Sequence, residues 1–119
     1  MNELYSQIIE CLKSALASSW SSASSSKWYS DNPSKGQCGV TALVVNDFLG
    51  GEIFKTRLSE GWHFYNMIEH KRYDITMSQF RESILYEDIA SNRREALMDC
   101  NEKQYMYLKK KVLENYRNY

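Results

Sequence analysis

The first stretch of the chain places apolar residues at helical spacing, which predicts an amphipathic helix over residues 3–17. Residues three or four apart lie on one side of an α-helix, so these positions define one buried face. That face consists of Leu4, Ile8, Leu12 and Ala15. Cys11 lies beside it and is interpreted as a small packing residue. Asn2 is a candidate N-cap for this helix.

A serine-rich stretch follows the first helix at residues 18–28. Seven of these eleven residues are serine, a composition typical of irregular backbone. The stretch is short, so it is predicted to be a loop within one domain. Trp20 and Trp28 bracket it, and they either pin the loop to the body of the protein or line a cleft.

The most informative segment is the nearly uniform apolar run at residues 39–49, which a turn cluster at residues 32–36 precedes. A run that is apolar on all sides predicts a buried helix starting near Cys38, with Gly50 and Gly51 as its stop signal. A buried strand is the alternative, because the Val44–Val45 pair favours β-structure. The length and the terminal glycines favour the helix.

The middle of the chain has the alternation and composition of β-strands. Residues 51–58 predict one strand, and residues 62–69 and 72–76 predict the two strands of a hairpin, with His70 and Lys71 near its tip.

The second half returns to helical signals. Thr76 and Gln79 fit a capping box that would open a short helix through about Leu85, and Asn101 with Gln104 suggests a second capped start. A helical stripe follows to the C-terminus. The order of elements predicts a single α+β domain over residues 1–119, with a small antiparallel sheet and C-terminal helices.

Composition and charge narrow the function classes. Fifteen basic residues balance fifteen acidic ones, so no basic field favours nucleic acid or an anionic membrane. No apolar run reaches the ~18–20 residues of a membrane span, and the start does not resemble a signal peptide, so we expect a cytoplasmic protein. The three cysteines are widely spaced and are expected to be free thiols. Their spacing and that of the histidines predict no metal site and no cofactor.

Candidate chemistry concentrates on Cys38, His63 and Asp74. A thiol at the amino end of a helix can have a lowered pKa and has backbone N–H groups nearby for an oxyanion. His63 and Asp74 lie on the two predicted hairpin strands, where an imidazole could act as base with a carboxylate orienting it. Direct opposition of these two requires a loop centred between Ile68 and Glu69, because a turn at His70–Lys71 would separate them by roughly 13 Å.

Each of the three residues also has a structural interpretation. Cys38 is equally suited to the role of a small core residue, and His63 to that of a satisfied sheet histidine. Asp74 is suited to a turn or a cap.

Several short motifs together resemble the YunG-like family of bacterial proteins. They are Gly-Gln-Cys, Thr-Ala-Leu-Val-Val, Gly-Gly-Glu-Ile, His-x-x-Asn and Asp-x-Thr-x-x-Gln-Phe, which lie between residues 36 and 80. The likeness extends from about Trp20 through Phe80 and more faintly to the last helix. It implies no particular activity.

More distantly, the order Cys, His, Asp on a helix and a hairpin is similar to the papain-like and transglutaminase-like superfamily. That resemblance implies a nucleophilic Cys38, a base at His63 and an orienting carboxylate at Asp74. It also suggests Gln37 as an oxyanion-hole residue and Asn66 as a supporting residue. The aromatic side chains of Trp28, Trp62 and Tyr65 are candidates to shape an acyl pocket.

Two functional hypotheses follow from these residues. The first is a cysteine-dependent hydrolase or acyltransferase that acts on an amide, thioester or isopeptide bond of a small-molecule or peptide substrate. The second is a catalytically silent binding module on the same fold, for which the nine tyrosines and three tryptophans would supply a contact surface. The oligomeric state is left open.

Overall fold

The computed structural model describes residues 3–116, so the candidate N-cap Asn2 lies outside the described residues. The helices are α1 (Glu3–Ser19), α2 (Cys38–Leu49), α3 (Arg93–Met98) and α4 (Glu102–Tyr116). The strands are β1 (Glu52–Leu58), β2 (Gly61–Ile68), β3 (Lys71–Tyr73) and β4 (Ile89–Ala90). This composition confirms the predicted α+β class with a small antiparallel sheet.

Helix α1 extends two residues beyond its predicted end and packs against α4. Leu12 and Leu16 are fully buried in a cluster with Val44 of α2 and with Leu108 and Val112 of α4. Burial of a leucine side chain stabilises a fold by about 1.5–3 kcal/mol, so this cluster is a main source of stability. The apolar stripes at the two ends of the chain therefore cover the central helix.

Helix α2 confirms the predicted buried helix, and it begins at Cys38. Its first eight residues are all buried, and the helix ends where Gly50 adopts a left-handed φ of 72°. A residue with a Cβ is strained at such a φ, which explains the glycine at this stop. The helix packs on the sheet, chiefly on β2.

The four strands form an antiparallel sheet in the order β3-β2-β1-β4. Strands β2 and β3 pair Ile68 with Lys71 and Asn66 with Tyr73. The two-residue loop between them, Glu69–His70, has positive φ at both positions, as in a type I′ turn. The loop is thus centred one residue before the predicted tip, and β3 ends at residue 73 and not at 76.

The helix predicted from Thr76 to about Leu85 is wrong. The structure has only a 3₁₀ turn at Met77–Gln79, and the Thr76 side chain does not cap it. The Gln79 side chain instead accepts a hydrogen bond from the Gly36 backbone N–H and donates to the Thr76 carbonyl. It therefore ties the turn to the chain just before α2.

The capped start at Asn101 is confirmed. The Gln104 N–H donates to the Asn101 side chain at 2.8 Å, and the Asn101 N–H donates to the Gln104 side chain at 3.2 Å. This reciprocal pair is the geometry of a capping box.

The serine-rich loop is pinned to the core at Trp20, whose indole N–H donates to Thr41 of α2 at 3.0 Å. Two of its serines, Ser24 and Ser25, are buried in short turns.

Across residues 3–116, no helix combines the length and the apolar content that a membrane crossing requires.

Candidate active site

A cavity of about 150 Å³ opens where the serine-rich loop, the start of α2, the beginning of β2 and the α3–α4 turn meet. Its wall contains two of the three predicted catalytic residues. Lining side chains that matter for chemistry are Lys27, Cys38, Trp62, His63, Phe80, Asp99 and Cys100.

Cys38 is the first residue of α2, and only 8% of it is exposed. Its thiol donates a hydrogen bond to the Asp99 carboxylate, with Sγ and Oδ2 3.5 Å apart. The backbone N–H of Phe64 acts on the sulfur and lowers the pKa of the thiol. Burial, followed by the negative charge of Asp99, raises the pKa of the Cys38 thiol well above its usual range, and the Phe64 N–H opposes that rise only in part. In this arrangement the thiol is neutral.

His63 and Asp74 form a buried pair. The His63 Nε2 lies 2.7 Å from Asp74 Oδ2, and the two side chains are 2% and 3% exposed. A carboxylate accepts hydrogen bonds, so Nε2 carries the proton and Nδ1 remains for another partner. The Phe80 ring packs edge-on against the imidazole, with ring centroids 5.0 Å apart. The ring orientation of His63 is therefore fixed from two sides.

Asp74 is held by two further hydroxyl groups. Tyr86 donates to the same Oδ2 atom at 2.7 Å, and Thr76 donates to Oδ1 at 3.4 Å. A carboxylate with three donors keeps its orientation and satisfies most of its lone pairs, which a buried charge requires.

The contact between His63 and Asp74 forms although the hairpin loop is Glu69–His70. Direct opposition of the two residues would have required a loop centred one residue earlier, between Ile68 and Glu69. Continuing the β2–β3 pairing by one residue would place Asp74 opposite Tyr65, with His63 on the diagonal. Diagonal neighbours share one face of a sheet and lie within reach of long side chains. Direct opposition is therefore unnecessary, and the loop at Glu69–His70 is compatible with the pair.

The short β3 also explains why the Phe64 N–H is available to act on the sulfur. Hydrogen-bonded pairs alternate along an antiparallel ladder, and Ile68–Lys71 and Asn66–Tyr73 lie two residues apart in that series. The next such pair would join Phe64 to Ile75. Because β3 ends at Tyr73, the Phe64 N–H has no strand partner on this side and reaches Cys38.

The structure brings Cys38, His63 and Trp62 to one cavity, with Asp74 behind His63. No hydrogen bond joins Cys38 to His63 anywhere in the described part of the chain. Trp62 is 39% exposed, and its ring carries the Lys55 ammonium 4.3 Å from its centroid.

The other four predicted site residues lie elsewhere. The Gln37 side chain is fully buried and donates to the Ser21 carbonyl, and Asn66 donates to the Ala42 carbonyl of α2. The Tyr65 hydroxyl donates to Asp88, and burial raises its pKa. Trp28 is half-buried, and its indole N–H has no hydrogen-bond partner within residues 3–116. None of the four lines the cavity.

Sequence reasoning missed Asp99, Phe80 and Tyr86. Asp99 lies in residues 86–100, where no periodicity marks a helix or a strand. The Ser-Gln-Phe motif contains Phe80, and that motif was the one available signal for it. Nothing in the sequence around Tyr86 distinguishes it from the other eight tyrosines.

Within residues 3–116, no three His, Cys, Asp or Glu side chains gather as a metal-ligand set.

Comparison with known proteins agrees with the family resemblance of the sequence motifs. A family model described as "YunG protein" matches residues 8–117. The chain is 54% identical over 101 residues to "Uncharacterized protein YunG" of Bacillus subtilis (strain 168), a match that covers 85% of this chain and 88% of the relative. No solved structure matches significantly.

Proposed function

The chain belongs to the YunG family, and from that premise and the geometry of the cavity we propose that it is a small cysteine-dependent hydrolase or acyltransferase. Its substrate would be an amide, thioester or isopeptide. Cys38 would be the nucleophile, His63 the base and Asp74 the orienting carboxylate, on a core of the papain-like and transglutaminase-like kind.

The observation that carries this proposal is the buried His63–Asp74 hydrogen bond at the wall of the cavity that also contains Cys38. Burying an imidazole and a carboxylate requires that each satisfies the other. Two apolar side chains would fill the same space at a lower desolvation cost than the imidazole and the carboxylate. An imidazole that a carboxylate orients, at a cavity that also contains a thiol, supports the proposal, because an activated nucleophile needs a base and a group that orients the base.

The reaction would proceed by acyl transfer through sulfur. The Cys38 proton moves to Nδ1 of His63, and the sulfur bonds to the carbonyl carbon while the C=O electron pair moves to oxygen. Asp74 stabilises the imidazolium through Nε2. The tetrahedral intermediate expels its leaving group, which takes the proton from His63. Water or an amine then attacks the thioester, gives a proton to His63, and the released thiolate recovers that proton.

The second candidate is a binding module without catalysis. The raised pKa of the Cys38 thiol favours it, because a neutral thiol is a poor nucleophile. In that case the cavity would hold a ligand by shape and polar contacts, and His63 and Asp74 would only stabilise the fold.

The deciding experiment is acylation of Cys38 by p-nitrophenyl acetate, followed by tryptic mass mapping. The three cysteines fall in separate peptides, residues 1–13, 36–55 and 95–103, so each is read independently in the wild-type protein. We expect an acetyl thioester on peptide 36–55 and a burst of nitrophenolate. His63→Gln should lower the rates of Cys38 acetylation and of the nitrophenolate burst by about 10²-fold or more, the range of general base catalysis.

The matched control is His70→Ala. His70 is the other histidine, and it is exposed in the turn between β2 and β3. The His70 variant should acylate at the wild-type rate. Acylation of Cys38 that is absent, or that is equal in the wild type and His63→Gln, would exclude the hydrolase and favour the binding module.

A further inference from the structure

We propose that Asp99 holds the Cys38 thiol in a resting state, and that a substrate carbonyl oxygen displaces the Asp99 carboxylate before sulfur attacks. Asp99 would thus be a positioning residue that couples substrate binding to activation of the thiol. This inference rests on the proposed function and adds a control element to it.

The first observation is the contact with sulfur. Asp99 lies directly after α3, in the turn that leads to α4, and its Oδ2 accepts the thiol proton at 3.5 Å. His63, the proposed base, makes its one side-chain hydrogen bond within residues 3–116 to Asp74. The proton that catalysis must move is therefore directed toward Asp99 and away from the imidazole.

The second observation is that Asp99 occupies the amino end of α2. Its carboxylate lies against Gly39, the second residue of the helix, and the Gly39 N–H there lowers the pKa of the Asp99 carboxyl. A Cβ at residue 39 would lie 2.6 Å from Asp99 Oδ2, so only glycine permits this approach. Free N–H groups at a helix start are the donors that an oxyanion would use. The carboxylate therefore fills the place that a reacting carbonyl oxygen needs.

The third observation concerns the charges around the thiol and the freedom of Asp99. Lys27 from the serine-rich loop and His63 from β2 face the Asp99 carboxylate, while Asp99 and Asp74 act on Cys38. Asp99 is exposed at the cavity, and Cys100 beside it also lines the wall. Burial at the contact with Cys38 raises the pKa of the Asp99 carboxyl, so in the proposed step the carboxylate returns from a partly desolvated position to water.

These contacts define a sequence of proton positions. In the resting state the thiol donates its hydrogen bond to Asp99, whose carboxylate also lies against Gly39. A substrate carbonyl oxygen accepts the Gly39 N–H, and Asp99 turns to water. The thiol then loses its acceptor and the nearby negative charge, and its proton passes to His63. Besides these hydrogen bonds, the one covalent change before attack is the proton transfer, in which the S–H bond of Cys38 breaks and an N–H bond forms at Nδ1 of His63.

The test is the pH dependence of Cys38 alkylation by iodoacetamide, read on the peptide of residues 36–55. In Asp99→Asn we expect the midpoint of the profile to fall by at least one pH unit, and the rate near pH 7 to rise by about tenfold or more. Asp99→Glu should restore slow alkylation because it returns the carboxylate. Asp47→Asn is the matched control, since it removes the same charge near the opposite end of α2.

An Asp99→Asn profile that coincides with the wild type would overturn the inference. A rate increase that appears equally on Cys11, in the peptide of residues 1–13, would also overturn it, because Cys11 lies on α1 and not at the cavity, so that result indicates general loosening of the fold. Failure of the proposed function looks different. In that case p-nitrophenyl acetate acylation is independent of His63, whatever Asp99→Asn does to alkylation.

Discussion

Removal of the Asp74 carboxylate is the sharpest test of the buried pair. Asp74 Oδ2 accepts from both His63 Nε2 and the Tyr86 hydroxyl, each at 2.7 Å. In Asp74→Ala both donors lose their acceptor. In Asp74→Asn one carbonyl oxygen can still accept from both, and the amide can donate to Thr76, so the variant removes the charge and keeps the shape.

The magnitude follows from burial. A buried donor without an acceptor costs about 1–3 kcal/mol. His63 is 2% exposed, which places it at the upper end, whereas Tyr86 is half-buried and can regain water. We expect Asp74→Ala to lower the free energy of unfolding by about 3–4 kcal/mol. Asp74→Asn should lower it by about 1–2 kcal/mol, since hydrogen bonds to charged groups are worth roughly 1 kcal/mol more than neutral ones.

The assay is urea unfolding followed by tryptophan fluorescence, with the midpoint compared at constant m. Tyr86→Phe removes one of the two donors and should lower the free energy of unfolding by about 1 kcal/mol. A loss below about 1 kcal/mol in Asp74→Ala would contradict the reasoning, because two donors in the described geometry cannot lose their acceptor so cheaply.

Two further predictions concern alkaline pH and backbone strain. Burial raises the pKa of Cys100 to about 12 and raises that of Cys38 further, so above pH 9 the unfolded chain loses thiol protons that the folded chain retains. The free energy of unfolding should therefore fall as pH rises from about 9. It should fall less steeply with pH in Cys100→Ala than in the wild type. Urea titrations that give the same pH dependence for both proteins would contradict this prediction. Gly36→Ala should destabilise by about 1–3 kcal/mol in the same assay, since φ is +74° and a Cβ would lie 2.8 Å from that of Lys27. Gly50→Ala is the control, because residue 50 has a similar φ and a Cβ there would meet open space. Equal losses of unfolding free energy in the two variants would show that the contact with Lys27 has no effect.

The helices were the most predictable part of the fold, because their signals are local. The apolar run of α2 and the capping box at Asn101 depend on neighbouring residues, and both are confirmed. The Thr76 capping box was wrong because the Gln79 side-chain oxygen, which would accept from the cap, instead accepts from the Gly36 N–H, 43 residues away in sequence. A tertiary partner took the side chain that the local pattern assigned to a cap.

The candidate site likewise has residues that could be predicted from local signals and residues that could not. Cys38, His63 and Trp62 could be predicted as cavity residues because position on an element determines where they lie. The pocket roles suggested for Gln37 and Tyr65 depended on side-chain direction, and burial with other partners directed both away. Asp99 could not be predicted, because a carboxylate in a turn reveals nothing about the thiol 61 residues earlier that it contacts.

The length of β3 has a consequence for the thiol at this site. The strand stops at Tyr73, and this leaves the Phe64 N–H free of the ladder, where it lowers the pKa of the Cys38 thiol. Two more paired residues would return that N–H to the ladder and deprive the sulfur of a donor, with Cys38 itself unchanged. A substitution at residue 75 that lengthens β3 would therefore change the pKa of the Cys38 thiol while every side chain at the cavity stays the same.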